Sequence, residues 1–435
     1  MTTKSPPMSD ALTGTLTRRE ALSLLGAAGA ALYGGTSAAQ TAPTAATPAA
    51  TAPAGTSAPA SPDYAPAASL TWSPKPHPDA HRYFVIDGVA HCYNHGFFNR
   101  RNRRVSQTTL DVSYAYHRWS TPARWRMTQE QYERDWQPEE VMDVMFLESH
   151  TDMIAMHSTP LYSSFFDGLI SNEKGAYLKD KYPERVIWYG AIDLFDDPAL
   201  VKGKIDQLVI QGCDGIKTYP VGYNQITSKA GPIRIDDEKR SFPIFEYILK
   251  KGIKHLGVHK LVGYTGPETP AFGIDDFYRA AEAFPDLTFH LVHAGWLMME
   301  ETAELMAARP NVTAVLEGPM IWTNYDMPTF EKMMAILLKK VDINRIIYAS
   351  TAPNQHPYWI VNQFFDWQPP KGSGLTITQE DKAKILGGNL ARYHGIDIAA
   401  RRARLANDRF STYKARHGLR EPYIAQRTEQ AARHA

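Results

Sequence analysis

Short runs of β-branched and aromatic residues recur along the chain, each bounded by polar or turn residues and followed by apolar positions at helical spacing. Runs of this length predict buried strands, and the 3.6-residue period between them predicts helices that cover the sheet. Eight strands are predicted over residues 83–91 (YFVIDGVAH), 151–157 (TDMIAMH), 186–193 (VIWYGAID), 215–220 (GIKTYP), 255–259 (HLGVH), 288–294 (TFHLVHA), 312–317 (VTAVLE) and 345–351 (RIIYAST). Helices are predicted over 138–147, 172–182, 198–211, 236–251, 274–284, 297–308, 328–340 and 377–386. The last is opened by Thr378 as a cap with an acidic first turn. Strand and helix alternating eight times predicts a parallel (β/α)8 TIM barrel. An open doubly wound sheet is the competing architecture, but the Gly-rich strand-to-helix fingerprint of a dinucleotide site is absent.

A barrel of this kind does its chemistry where strands end and loops begin. His91, His157, Asp193, His259, His293, Glu317 and Ser350-Thr351 stand at such ends, and Lys217 lies within the fourth strand. One strand-end histidine is usually structural; four of the eight strands ending in His point to a site.

Residues outside the alternation set the domain plan. Arg18-Arg19 precede the mildly apolar segment 24–33, and Ser37-Ala38-Ala39 supplies small residues for cleavage, so residues 1–39 resemble a twin-arginine (Tat) signal peptide. Residues 40–70 are nearly all Ala, Pro, Thr, Ser and Gly and cannot offset their ordering entropy by burial, which predicts a disordered linker. The barrel is expected over 71–398, and a basic helical extension over 399–435. This plan implies export through the Tat machinery to the periplasm.

Composition narrows the partners. The 435 residues are 43% hydrophobic and 21% charged, and 47 Lys plus Arg balance 46 Asp plus Glu, so no global field favours nucleic acid. No apolar run approaches the roughly 20 residues of a spanning helix. Cys92 follows strand one and Cys213 precedes strand four, at opposite barrel ends, too far apart to bond. A small-molecule substrate is the expected partner, and a homo-oligomer is left open.

Several motifs carry a family resemblance: Ile86-Asp87 before His91; the stretch 252–259 ending Gly257-Val258-His259; Phe284-Pro285-Asp286-Leu287 leading to Leu291-Val292-His293-Ala294-Gly295; residues 309–312; residues 344–351; and residues 384–392 (KILGGNLAR). In this order they resemble the amidohydrolase-related family, in the branch with aminocarboxymuconate-semialdehyde decarboxylase and related carboxy-lyases and hydrolases. The resemblance spans about Tyr83 to Gly395. It implies an amidohydrolase-like barrel holding a divalent metal, zinc first, through a His-x-His pair on strand one, a His on strand five and an Asp ending strand eight. A strand-six His would assist the substrate or the metal-bound water. Residues i and i+2 of a strand share a face, which lets two imidazoles reach one ion.

Two positions depart from that pattern: Val89 stands at i−2 from His91, and Thr351 stands where the carboxylate is expected. By position the resemblance gives His91 and His259 as metal ligands, with His293 and Lys217 as the catalytic groups; Asp87, His95, Asp193 and Glu317 are candidate substitute ligands. The stretch between His91 and residue 138 is long for a barrel loop and should cover the mouth. Its Arg100, Arg118 and Trp119 are candidate substrate-binding residues, since guanidinium forks bind carboxylates and aromatic faces hold rings. A solvated loop pairing its arginines with Asp111, Glu130 and Glu133 is the plainer account. The expected function is a metal-assisted hydrolase with an atypical ligand set, with a carboxy-lyase second, acting on a small, aromatic-type organic acid or its amide or ester. The alternatives are a metal-independent enzyme and a non-catalytic periplasmic binding protein on the same barrel.

Overall fold

The computed structural model describes residues 64–260, 273–296 and 298–433. The predicted leader and most of the linker lie outside the described residues. Eight parallel strands pair in chain order: β1 (Ile86–Ala90), β2 (Met153–His157), β3 (Val186–Ala191), β4 (Gly215–Thr218), β5 (His255–His259), β6 (Thr288–Val292), β7 (Val312–Val315) and β8 (Ile346–Ile347). Backbone bonds close the ring. Gly88 N donates to Tyr348 O (2.9 Å), Thr351 N to Val89 O (3.1 Å) and His91 N to Ala352 O (2.8 Å). The TIM barrel expected from the alternation is therefore the fold.

The largest difference in strand length falls at the seam. Strand eight is expected over 345–351 but its ladder with β7 stops at Ile347, and on the other side of the seam β1 carries an irregularity between Asp87 and Ala90 in its pairing with β2. Asp87 Oδ1 takes up the slack, accepting from Val89 N (3.2 Å) and Ser350 N (2.9 Å). Position 88 must be glycine here, since a Cβ would lie 2.7 Å from Tyr348 O and 2.8 Å from Ile347 Cγ2.

Alternate strand positions face inward. Ile86, Val89, Met153, Ala155, Ile187, Tyr189, Val292, Val315, Ile347 and Ala349 fill the lower lumen as one buried cluster, as side chains fill small barrels generally. The outward positions pack beneath the helices in a larger shell, where truncating a fully buried ring such as Phe245 to Ala costs about 3–5 kcal/mol.

Three elements escape the hydrophobic pattern. The stretch after β1, read as loop, contains an 18-residue helix, Arg103–Ser120, capped by Asn102, whose Oδ1 accepts from Val105 N. Its buried positions include Ser106, Thr109, Ser113, His117 and Ser120, so the covered face is polar in composition. A hairpin (Val221–Asn224 with Lys229–Pro232) follows β4, and the helix Pro357–Asp366 follows β8. The predicted helix over 236–251 starts later, at Phe242, because 236–241 is taken up by turns. Among the described residues no helix is long and apolar enough to cross a membrane. Beyond residue 398 the chain forms helices whose arginines pair with acidic residues of the barrel: Arg401 and Arg404 with Glu184, Arg409 with Asp143, and Arg420 with Glu148.

Candidate active site at the barrel mouth

Residues from six strands or strand ends meet at the C-terminal mouth: His91, His157, Lys217, His259, His293 and Glu317. β-strand alternation aims each inward, and the turn after β6 adds strain, with His293 at φ 72 and Ala294 at φ 46. Non-glycine residues seldom hold such angles without surrounding structure to enforce them. Gly318, at φ 80, lets the next loop approach: a Cβ there would lie 2.3 Å from Trp296 Cζ3.

Proton positions follow from the partners. His91 donates from Nδ1 to His157 O (3.1 Å) and from Nε2 to Glu317 Oε1 (3.0 Å). His293 donates from Nδ1 to Glu317 O (3.0 Å), which leaves a lone pair on Nε2 to accept from His259 Nδ1 (3.1 Å). That same Nε2 lies 3.6 Å from Glu317 Oε2. His259 stacks on Tyr219 (centroids 4.1 Å apart), and His157 on Tyr189 (4.3 Å).

Burial sets the charges. Removal from water holds His293 neutral down to about 4, with Glu317 opposing, and keeps His259 and His157 well below the ordinary imidazole range. Burial alone would raise Glu317, but His293, the bond from His91 and the Lys217 ammonium outweigh it and hold the carboxyl near 2. Lys217 is pushed down to about 8 by burial, against the pull of Glu317. Its side chain is 0% exposed and Nζ has no hydrogen-bond partner. Glu317 Oε2, His157 Nδ1 and Thr351 Oγ1 are likewise buried without a hydrogen bond. Leaving such groups unmade costs about 1–3 kcal/mol each, more when charged, so several at one mouth call for a ligand or a function.

The substitute ligands considered from the sequence divide. Glu317 joins the cluster. Asp193 instead accepts from Phe195 N and Tyr223 N, His95 faces Tyr132 O, and Asp87 holds the barrel seam. Cys92 donates to Trp136 O, and burial pushes its thiol up to about 12, far from reactive.

The loop residues expected to bind substrate are placed elsewhere. Arg100 bonds His95 O, Gln107 and Glu133, Arg118 is exposed, and Trp119 packs on Tyr64, Tyr116 and Tyr325. The loop's helix still reaches the mouth through Tyr116, which meets Trp296 edge-on (5.9 Å), and Trp296 in turn faces His293 (6.4 Å). A cleft of ≈ 300 Å³ on the rim, lined by Tyr162, Asp196 and Lys204 among others, shares Asp193 but none of the six clustered residues.

Fold and site together define a class: an α/β barrel whose titratable side chains gather at the end where such barrels carry catalysis. Residues 172–395 match the family model described as amidohydrolase, and this chain belongs to the amidohydrolase family. The match contains Lys217, His259, His293 and Glu317. The structure is similar to an uncharacterized TIM-barrel protein from Bordetella bronchiseptica, at 17% identity over 73% of this chain and 99% of that one, with a TM-score of 0.53. Weaker similarity links it to 5-carboxyvanillate decarboxylase from Sphingomonas paucimobilis (15% identity, 72% and 99% covered, TM-score 0.46). A variant of the Novosphingobium aromaticivorans decarboxylase, which holds bound manganese, matches at 14% identity over 74% and 99% (TM-score 0.49). No curated protein matches the chain.

The zinc set that the resemblance implies is not assembled by these residues. Val89 offers only methyl groups to the lumen, and Thr351 has no carboxylate. His91 points both ring nitrogens at oxygen acceptors, and His259 Nδ1 carries the proton it gives to His293, so of the two only His259 Nε2 offers a lone pair in this arrangement. Among the described residues no group of three or more His, Cys, Asp or Glu side chains is arranged to hold a metal ion. In this arrangement His91 and His259, expected as ligands, bond to Glu317 and His293.

Proposed function

We propose that this amidohydrolase-family chain is an enzyme that removes carbon dioxide from a small organic acid, through Lys217, His293 and Glu317 and without the zinc set implied by its relatives. One observation carries the reading: four buried polar atoms from different strand ends, His157 Nδ1, Lys217 Nζ, Glu317 Oε2 and Thr351 Oγ1, have no hydrogen-bond partner and share the barrel mouth. An organic acid supplies acceptors for three of them, and Glu317 Oε2 is left to a donor on the substrate or to a water. Its oxygens would accept from Lys217, His157 and Thr351. His293, neutral with its Nε2 lone pair held in place by His259, is the group that moves a proton.

Hydrolysis is the second reading, favoured by the 3.6 Å approach of Glu317 Oε2 to His293 Nε2, which could orient a water for attack. The test is a panel of small aromatic and unsaturated carboxylic acids, with their amides and esters, assayed for released carbon dioxide and for free acid. Release of carbon dioxide supports the proposal, free acid alone supports hydrolysis, and saturable binding with no turnover of any compound overturns both in favour of a binding protein. We also propose periplasmic residence through the twin-arginine leader; replacing Arg18 and Arg19 by lysine is expected to retain the chain in the cytoplasm.

A further inference from the structure

We infer that Lys217 is a covalent catalyst: its amine bonds to the keto carbon of a 3-oxo acid and serves as the electron sink for loss of carbon dioxide. The inference deepens the carboxy-lyase reading and rests on it. Breaking the bond between a carbon and its carboxylate leaves an electron pair that must be accommodated. The metal that would do this in relatives lacks most of its donors here, since Val89 and Thr351 occupy two of the positions and both nitrogens of His91 are engaged.

Lys217 has the placement for the task. It lies on the inner face of β4, 0% exposed, with Nζ free of any hydrogen-bond partner. Glu317 Oε2 shares the mouth, also without a hydrogen bond, and no ion pair joins the two. The buried amine and the buried carboxylate at this mouth therefore do not satisfy each other. Gly257, opposite Lys217 on β5, keeps the stem clear: a Cβ there would lie 3.4 Å from Lys217 Cδ and 3.3 Å from His157 Cε1. Burial also favours the uncharged amine, the nucleophilic form.

The steps balance. Lys217 as amine adds to the keto carbon, forming a C–N bond; the carbonyl oxygen takes up protons and leaves as water, giving an iminium. The C–C bond to the carboxylate breaks, its electrons enter the iminium to form an enamine, and carbon dioxide departs. The enamine carbon takes one proton from solvent by way of His293, and water returns to the iminium carbon to release the ketone and the amine. The net change is 3-oxo carboxylate plus one proton to ketone plus carbon dioxide, with no oxidant or reductant.

Borohydride reduces such an iminium to a permanent amine. The whole chain is incubated with acetoacetate or benzoylacetate, with and without sodium borohydride, and mapped by mass spectrometry. The expected result is a reduced adduct on the Lys217 peptide, dependent on both reagents, and loss of turnover in parallel. Adducts confined to other lysines with both acids overturn the inference. Lys217→Arg keeps the cation but cannot form an iminium, and its turnover is expected to fall by about a thousandfold or more. Lys217→Arg turning over at more than about a tenth of the parent rate would reduce Lys217 to an electrostatic anchor. If the parent chain decarboxylates acids lacking a 3-oxo group, with Lys217 unlabelled, the carboxy-lyase reading stands and this inference falls. If no acid in the panel is turned over, the reading itself falls.

Discussion

The barrel holds two histidine clusters on the same strands, and they behave as opposites. At the floor, His290 Nε2 meets His255 Nδ1 (3.3 Å), His290 Nδ1 meets Thr313 Oγ1 (2.8 Å), and Tyr189 OH donates to His394 Nε2 (2.9 Å). His255 and His394 stack with centroids 4.3 Å apart. None of these side chains leaves a buried polar atom without a partner. Four residues further along β5, and three beyond His290, stand His259 and His293 of the mouth, where Lys217, Glu317, His157 and Thr351 all leave atoms unpaired. Residue type does not separate the clusters. Hydrogen-bond completeness does: the floor is a polar core satisfied within itself, whereas the mouth is satisfied only by something added.

Acid should break both clusters together, and this is the largest effect expected. Burial lowers His95, His117 and His150 to about 3 and His255 and His293 to about 4. An unfolded imidazole protonates near 6.5, so the stability these groups protect is whole above that pH and is lost as pH falls toward 3–4. At pH 5 each costs about 2 kcal/mol, offset in part by Asp87 and Asp193, which burial raises to about 7 and which take up protons in the native state over the same range. Circular dichroism and tryptophan fluorescence are expected to report cooperative unfolding between about pH 6 and pH 4. A chain still native at pH 4 would mean that these buried histidines, inside and outside the clusters, are not held neutral.

Single substitutions should then pull the clusters apart. His293→Ala removes the proton-moving group and is expected to lower turnover by about a hundredfold or more, near 2.7 kcal/mol of barrel-mouth function, with little loss of fold. His290→Leu strands the Thr313 hydroxyl and His255 at the floor, and should cost about 1–3 kcal/mol of stability in urea titration while leaving turnover intact. The reverse pattern, with turnover sensitive to His290 and indifferent to His293, would exchange the roles of the two ends.

How much of this was legible in the chain differs between its parts. The eight strands showed because their inward and outward positions are both apolar, and short β-rich runs between helical segments have few other solutions. The helix Arg103–Ser120 did not, because five of its seven buried residues are three serines, a threonine and a histidine, which leaves only Leu110 and Tyr116 to mark an apolar stripe. At the site, His91, His259, His293 and Lys217 were visible as strand-end or mid-strand polar residues, and the structure brings them together. Glu317 was visible only as one of several acids. What singles it out is the bond from His91, 226 positions away in sequence, and no local pattern encodes such a pairing. Ligand roles are not legible in the chain for a similar reason. A histidine's identity says nothing of which nitrogen keeps its proton, and that is decided by partners such as His157 O and Glu317 O.

The smallest effect tests the border of the mouth. Arg118 was a candidate for binding the substrate carboxylate, yet its side chain is exposed and the helix that carries it reaches the site through Tyr116 instead. Exposed substitutions away from packed or paired groups usually stay within about 0.5 kcal/mol, so Arg118→Ala should leave the melting midpoint and the substrate KM where they were. The contrast with Lys217 is the informative part. If carboxylate recognition lies inside the barrel, on a cation without a partner, then removing a solvated arginine a helix away changes neither binding nor rate, and raising ionic strength has little effect on KM because a buried charge is weakly screened. A KM that rises in Arg118→Ala and with salt would place the carboxylate at the rim, and would extend the open, unsatisfied region from the mouth to the covering helix.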